Sequence, residues 1–339
     1  MQPAYFVVVC NSTGGSLSHY AMSAEGKLAE LGEQPLPGVG APNGACPMTV
    51  SEDRQRLYLA FRGQPDEILS FGVDPAQRSL VLLGRAPLAE SMAHIALSSD
   101  GRFLLSASYG GGCVSMNPVG SDGVVGAPTD TLATAGKMHC CVPLPGSNAF
   151  LATSLEDSVI LTLRVSDAGK LSQIPSRSVA APGSGPRHLV LHPSGRFCYL
   201  VTEFAATVSV YSLDGEGLSP QALCTASTLP PHWQREGWGA DIRLTPDGRF
   251  CYASDRTSST IAGFSVHANG GVLRSIGYTN VACWPRAFNI TPDGRFIISL
   301  GEMSDRIEVF SIDQSNGSLD KRDAVATGKG PNWVEIFAT

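Results

Sequence analysis

The sequence predicts an all-β protein, and three observations carry that prediction. First, Gly-Arg-Phe recurs at 101–103, 195–197, 248–250 and 294–296, and three copies follow Pro-Ser or Pro-Asp. Proline fixes φ and glycine accepts φ > 0, so "PSGRF" and "PDGRF" are tight turns between two strands. Second, the turn is periodic. Its glycines lie 94, 53 and 46 residues apart, and 94 is twice 47. Third, helical periodicity is missing almost throughout.

The elements follow in order from that frame. In one unit "HLVLH" is a first strand, "PSGR" a turn, "FCYLVTE" a second strand, "TVSVYSL" a third, "DGEG" a turn and "ALCTAST" a fourth. "SEDRQRLYLAFR" (51–62) matches "SSDGRFLLSASY" (98–109) without a gap, and "SNAFLATSLE" (147–156) fits after a longer turn. Four strands per unit of about 46 residues is the blade of a β-propeller. Blades open near Cys46, Ser91, Met138, Arg187, Gly239 and Arg286, which makes six. The N-terminal "YFVVVC", "SLSHYAM" and "LAELGEQ" supply three more strands, and the C-terminal "NWVEIFA" supplies a fourth. Together they form a seventh blade, blade one in chain order, closed by both chain ends. The expectation is a single seven-bladed domain over residues 1–339, without the open edges of a linear stack.

Composition narrows the function. A net charge of −6 argues against a nucleic-acid partner. No run of about 18 apolar residues occurs, so no membrane span is expected. The start, "MQPAYFVVVCNSTGG", is too short and uncharged for a signal peptide, and it reads as a strand. Nine cysteines without a C-x-x-C pair read as buried thiols in a cytoplasmic protein, with neither a disulfide frame nor a zinc site.

Chemistry is expected where strand ends converge. The start of each first strand and the end of each second strand ring one mouth of the central channel. Second-strand ends give Arg62, Tyr109, Glu156, Glu203, Arg256 and Glu302, with Asn11 or Ser12 in blade one. First-strand starts give Met48, His94, His139, Arg187 with His188, Asp241, and Arg286. Arginines, histidines and carboxylates in one concave mouth suit the binding of an anionic small molecule. The 53-residue interval holds an insertion, "PPHWQREGW", whose His232, Trp233, Arg235 and Trp238 suggest a cover over the mouth.

"GPRHLVLHPSGRFCYLVTE", "ADIRLTPDGRFCYASDRTSSTIAGFSV" and "PRAFNITPDGRF" resemble the lactonase-type seven-bladed propellers. That family includes bacterial 6-phosphogluconolactonases and fungal carboxy-cis,cis-muconate lactonizing enzymes. The resemblance covers essentially the whole chain and is strongest from 185 to 296. It implies a catalytic group of His139, Arg187, Glu203 and Arg256, with no cofactor and no metal. Arg62, His94, Tyr109, His188, Asp241, Arg286, Glu302 and Arg235 remain as candidates for substrate binding. This chain departs from its relatives at "DIR", which places Arg243 in a first strand, and at Glu302, where relatives tend to carry an amide.

Two chemistries fit these residues. In hydrolysis of a sugar lactone, Glu203 or His139 activates water while Arg187 and Arg256 stabilise the oxyanion. In a muconate cycloisomerase, the arginines hold two carboxylates and His139 or Glu203 moves a proton. A non-catalytic propeller scaffold is the third reading, but no Trp-Asp repeat is present. The expected partner is a small anionic lactone, and the expected state is a monomer or weak homo-oligomer.

Overall fold

A computed structural model describes residues 3–38, 44–134, 136–215, 217–267 and 270–339. Among these there is no helix. Seven small antiparallel sheets form a seven-bladed propeller. In blade one the C-terminal strand Pro331–Ala338 is innermost and pairs with Pro3–Asn11, followed by Ser16–Ser23 and Leu28–Pro35. The other first strands are Met48–Val50, His94–Leu97, Met138–Pro143, Pro186–Leu191, Gly239–Leu244 and Phe288–Ile290, in blades two to seven. Blade five differs slightly from expectation. Its fourth strand is split into Gly217–Leu218 and Cys224–Ser227, both paired with the third. Glu216 of the "DGEG" turn lies outside the described residues.

The core is divided among seven apolar clusters, each lying between two neighbouring blades. The cluster between blades one and two contains Phe6, Val8, Leu57, Leu59 and Phe71. No blade has a core of its own, so burial requires the ring. Tyrosines of the second strands add polar ties between blades. Tyr58 donates to the Gly123 carbonyl at 3.0 Å and Tyr252 to that of Gly317 at 2.7 Å. Gly317 has φ 77°, and a Cβ there would sit 2.5 Å from Phe250. The outer-turn glycine is therefore required twice, by backbone and by space.

The repeated turn is scaffold. Gly101, Gly195, Gly248 and Gly294 all have φ between 68° and 73°. The arginine that follows each glycine lies over the next phenylalanine ring, at 5.1–5.7 Å. Each such pair covers an apolar ring at the turn face of a blade, away from the arginine-lined mouth.

Candidate active site

Four first strands begin with a β-bulge at the mouth; in blade one Asn332 is skipped between the pairs Pro331–Asn11 and Trp333–Cys10. His139 is skipped between the pairs Met138–Ser154 and Cys140–Thr153. Arg187 is skipped between Pro186–Thr202 and His188–Val201, and Ala240 with Asp241 between Gly239–Asp255 and Ile242–Ala253. An extra residue breaks the two-residue alternation and re-aims neighbouring side chains. This lets Arg187 enter the site while His188, adjacent in sequence, packs behind it.

Glu203 lies at the centre. Its Oε2 accepts from Arg187 Nε at 2.9 Å and pairs with Arg256 Nη2 at 3.1 Å. Its Oε1 accepts from Trp238 Nε1 at 2.8 Å. Burial alone would raise its pKa, but Arg187 and Arg256 outweigh burial and hold the carboxyl below the usual range. Glu203 is thus an ionised carboxylate with three N–H donors already on it. Arg256 is held between Trp238 and Trp284, 4.9 and 5.9 Å from their ring centres. Burial, then repulsion from Arg187, lowers its guanidinium to about 9, so it stays charged at neutral pH.

His139 is 5% exposed, and its Nδ1 has no hydrogen-bond partner among the described residues. Burial first, then Arg187, His188, Arg286 and Arg256, keeps its pKa well below the ordinary histidine value. It is therefore a neutral imidazole with an uncommitted ring nitrogen. Tyr109 stands edge-on to it at 6.1 Å, and Lys137 lies over the Tyr109 ring at 5.3 Å.

Arg286 and Glu302 face each other loosely at 3.9 Å, with side chains 25% and 20% exposed. The Trp284 carbonyl accepts the backbone N–H of both. Arg62 donates from Nε to Ser91 Oγ at 2.7 Å. Burial and the nearby Arg286 lower its pKa, which places these two cations in one field. Four guanidinium groups, of Arg62, Arg187, Arg256 and Arg286, thus share the mouth with the carboxylates of Glu203 and Glu302.

Other expected residues lie elsewhere. His188 and Asp241 are buried behind Arg187, 3% and 1% exposed, joined by a 2.9 Å contact from His188 Nδ1 to Asp241 Oδ1. His94 packs on His188 and Trp333 and lines a channel cavity of about 420 Å³ at the turn end of the first strands. Burial, then Arg243, lowers its pKa to about 3. Arg243 lines the same cavity and pairs with Asp241 at 3.2 Å, so the "DIR" departure acts there and not at the mouth. That cavity contains none of Arg187, Glu203 or Arg256. Met48 also lines it, Arg235 and Glu156 are exposed, and the Asn11 and Ser12 side chains are tied into blade one. Sequence reasoning missed Trp284. Its signal was "WPR" standing in the frame of "GPR".

Among the described residues, no group of three or more His, Cys, Asp or Glu is arranged to hold a metal ion. Among the described residues, no helix is long and apolar enough to cross a membrane.

Comparison with known proteins agrees with this architecture. The family model described as "Lactonase, 7-bladed beta-propeller" matches residues 3–336. The chain is 36% identical over 336 residues to a 6-phosphogluconolactonase of Pectobacterium carotovorum, covering 98% of both chains. It is 37% identical over 304 residues to that of Serratia proteamaculans, covering 89% and 91%. The solved structure of the Pseudomonas aeruginosa periplasmic gluconolactonase superposes with a TM-score of 0.88 at 25% identity, over 98% and 99% of the two chains.

Proposed function

The chain belongs to the seven-bladed lactonase propellers, and on that premise we propose that it hydrolyses an anionic sugar lactone of the 6-phosphogluconolactone type at the Arg187–Glu203–Arg256 mouth. The observation that carries the reading is the division of labour between His139 and Glu203. Glu203 spends its lone pairs on Arg187, Arg256 and Trp238, which leaves it a poor base and a good anchor. His139 is neutral with a free ring nitrogen, so it takes the proton of the attacking water.

The reaction balances without further reagents. Water oxygen bonds to the lactone carbonyl carbon as His139 removes a proton. Charge develops on the carbonyl oxygen, where Arg187 and Arg256 stabilise it. The tetrahedral centre collapses, the ring C–O bond breaks, and protonated His139 returns its proton to the departing ring oxygen. The product is the open hydroxy acid. Arg62 and Arg286 supply the field for the distal phosphate, since guanidinium matches phosphate bidentately. The nine cysteines are unpaired and seven are buried, which supports a cytoplasmic location.

The test is hydrolysis of 6-phosphoglucono-δ-lactone with EDTA present and no metal added. A panel including glucono-δ-lactone and muconolactone separates the readings. Turnover of muconolactone alone would assign a cycloisomerase, and no turnover of any lactone would leave a scaffold. The pH profile tests the base, with glucono-δ-lactone as a substrate that does not titrate. A general base must be unprotonated, and burial and the arginines lower the pKa of His139. Hence kcat/KM should hold as pH falls through 6.5 and decline only below it. An acid limb centred above pH 6.5 contradicts the assignment.

A further inference from the structure

Behind Arg187 lies a chain of polar contacts that the reaction does not touch. We propose that Asp241 and His188 are positioning residues, which fix the rotation of the Arg187 guanidinium so that its Nη2 edge faces the reacting carbonyl. The proposal rests on the lactone-hydrolysing reading of this mouth.

The chain begins at Asp241. Its Oδ1 contacts His188 Nδ1 at 2.9 Å and accepts the Ile242 N–H at 2.9 Å. Its Oδ2 takes Arg243 Nη2 at 3.2 Å and the Phe288 N–H at 3.4 Å. An ionised carboxylate only accepts, so His188 must carry its proton on Nδ1. His188 is buried against Arg187, His94, Arg243 and Arg286, all of which oppose a second proton, and its ring lies 5.2 Å from that of His139. A neutral ring protonated on Nδ1 presents a lone pair at Nε2. Arg187 Nη1 stands 3.3 Å from that Nε2 atom.

The guanidinium can then be counted donor by donor. Nη1 gives its second hydrogen to the Ala240 carbonyl, and Nε gives its hydrogen to Glu203. Nη2 makes no hydrogen bond to a described residue. Three N–H groups are held by protein, and the remaining two are offered to the mouth. The opposite His188 tautomer would set N–H against N–H, and Arg187 would lose this fix. Asp241 therefore acts on the substrate only through His188 and Arg187.

Two measurements test this. The first is ¹⁵N NMR of the imidazoles in the intact protein, which needs no substrate. It should show His188 neutral with the proton on Nδ1 near pH 7. A cationic ring or the Nε2–H tautomer overturns the proposal. The second is steady-state kinetics. His188→Gln sets an amide oxygen near the position of Nε2 and should keep kcat within about 5-fold. His188→Leu removes the acceptor and should lower kcat by about 30-fold with KM changed less than about 3-fold. Equal losses in Gln and Leu would make the site one of packing and overturn the proposal. Asp241→Asn should lower kcat about 10-fold and mix the tautomers of His188. An unchanged tautomer with unchanged kcat also overturns it. Where His188→Leu does not fold, the tautomer measurement decides. A wild type inert on every sugar lactone overturns the functional reading and the catalytic purpose of the chain together. A wrong tautomer in an active enzyme overturns the positioning alone.

Discussion

Blades five and seven carry the same local device and use it differently. Each has a residue with positive φ, then proline, then arginine: Gly185-Pro186-Arg187 and Trp284-Pro285-Arg286, with φ 71° and 65° at the leading residue. Each arginine is followed sixteen residues later by a glutamate, Glu203 or Glu302. The leading carbonyl accepts the N–H of that glutamate in both, at 2.6 Å from Gly185 and 3.1 Å from Trp284. Yet Arg187 and Glu203 meet at 2.9 Å with side chains 2% and 9% exposed, while Arg286 and Glu302 stand 3.9 Å apart and partly in solvent. The difference comes from what surrounds each pair. Blade five receives Trp238 from the inserted loop and Arg256 from blade six, while His188 backs its arginine. Among the described residues, the blade-seven pair has one weak side-chain hydrogen bond from another blade, from Asn332 Nδ2 to Glu302 Oε1 at 3.5 Å. A buried pair in a network is rigid and costly to break, and an exposed pair is screened and adaptable. The first suits charge developing in a transition state; the second suits recognition of a charged substituent.

Breaking each carboxylate in turn gives the largest contrast. Glu203→Gln leaves two buried guanidinium groups uncompensated, so stability should fall by roughly 3–5 kcal/mol in urea denaturation. The folded variant should lose kcat by about 100-fold or more. Glu302→Gln should change stability by less than about 1 kcal/mol and kcat by less than about 3-fold. Similar losses in both variants would erase the distinction. A smaller effect sharpens it. Arg286→Ala should raise KM for 6-phosphoglucono-δ-lactone about 10-fold and leave KM for glucono-δ-lactone nearly unchanged. A loss shared equally by both lactones would place Arg286 at the reacting centre instead. A further effect belongs to Trp238→Phe, which keeps a ring against Arg256 and deletes only the donor to Glu203. Rates should fall about 10-fold or somewhat more, the low end of the worth of one hydrogen bond to a charged acceptor.

The propeller was legible because its signals are local and repeated. Turn glycines report φ, their spacing counts the blades, and both chain ends read as strands of one sheet. The site was legible in outline for the same reason, since eight residues after each turn glycine the chain returns to the mouth. Depth was not legible. A bulge adds one residue without altering the apolar pattern, so His188 and Asp241 read as lining residues although they stand behind Arg187. His94, without a bulge at its strand start, faces down the channel. The inserted loop showed its aromatic residues, but not that Trp238 would turn inward and donate to Glu203 while Arg235 stayed in solvent. Those outcomes depend on contacts between blades, which no single strand encodes.

The proposed reaction assigns chemistry to Arg187 and recognition to its counterpart Arg286. Replacing each by lysine keeps the charge and removes the planar fork. On glucono-δ-lactone, Arg187→Lys should lower kcat about 100-fold, and Arg286→Lys should leave it within about 3-fold of wild type. Equal losses, or a larger loss at Arg286, would contradict the account.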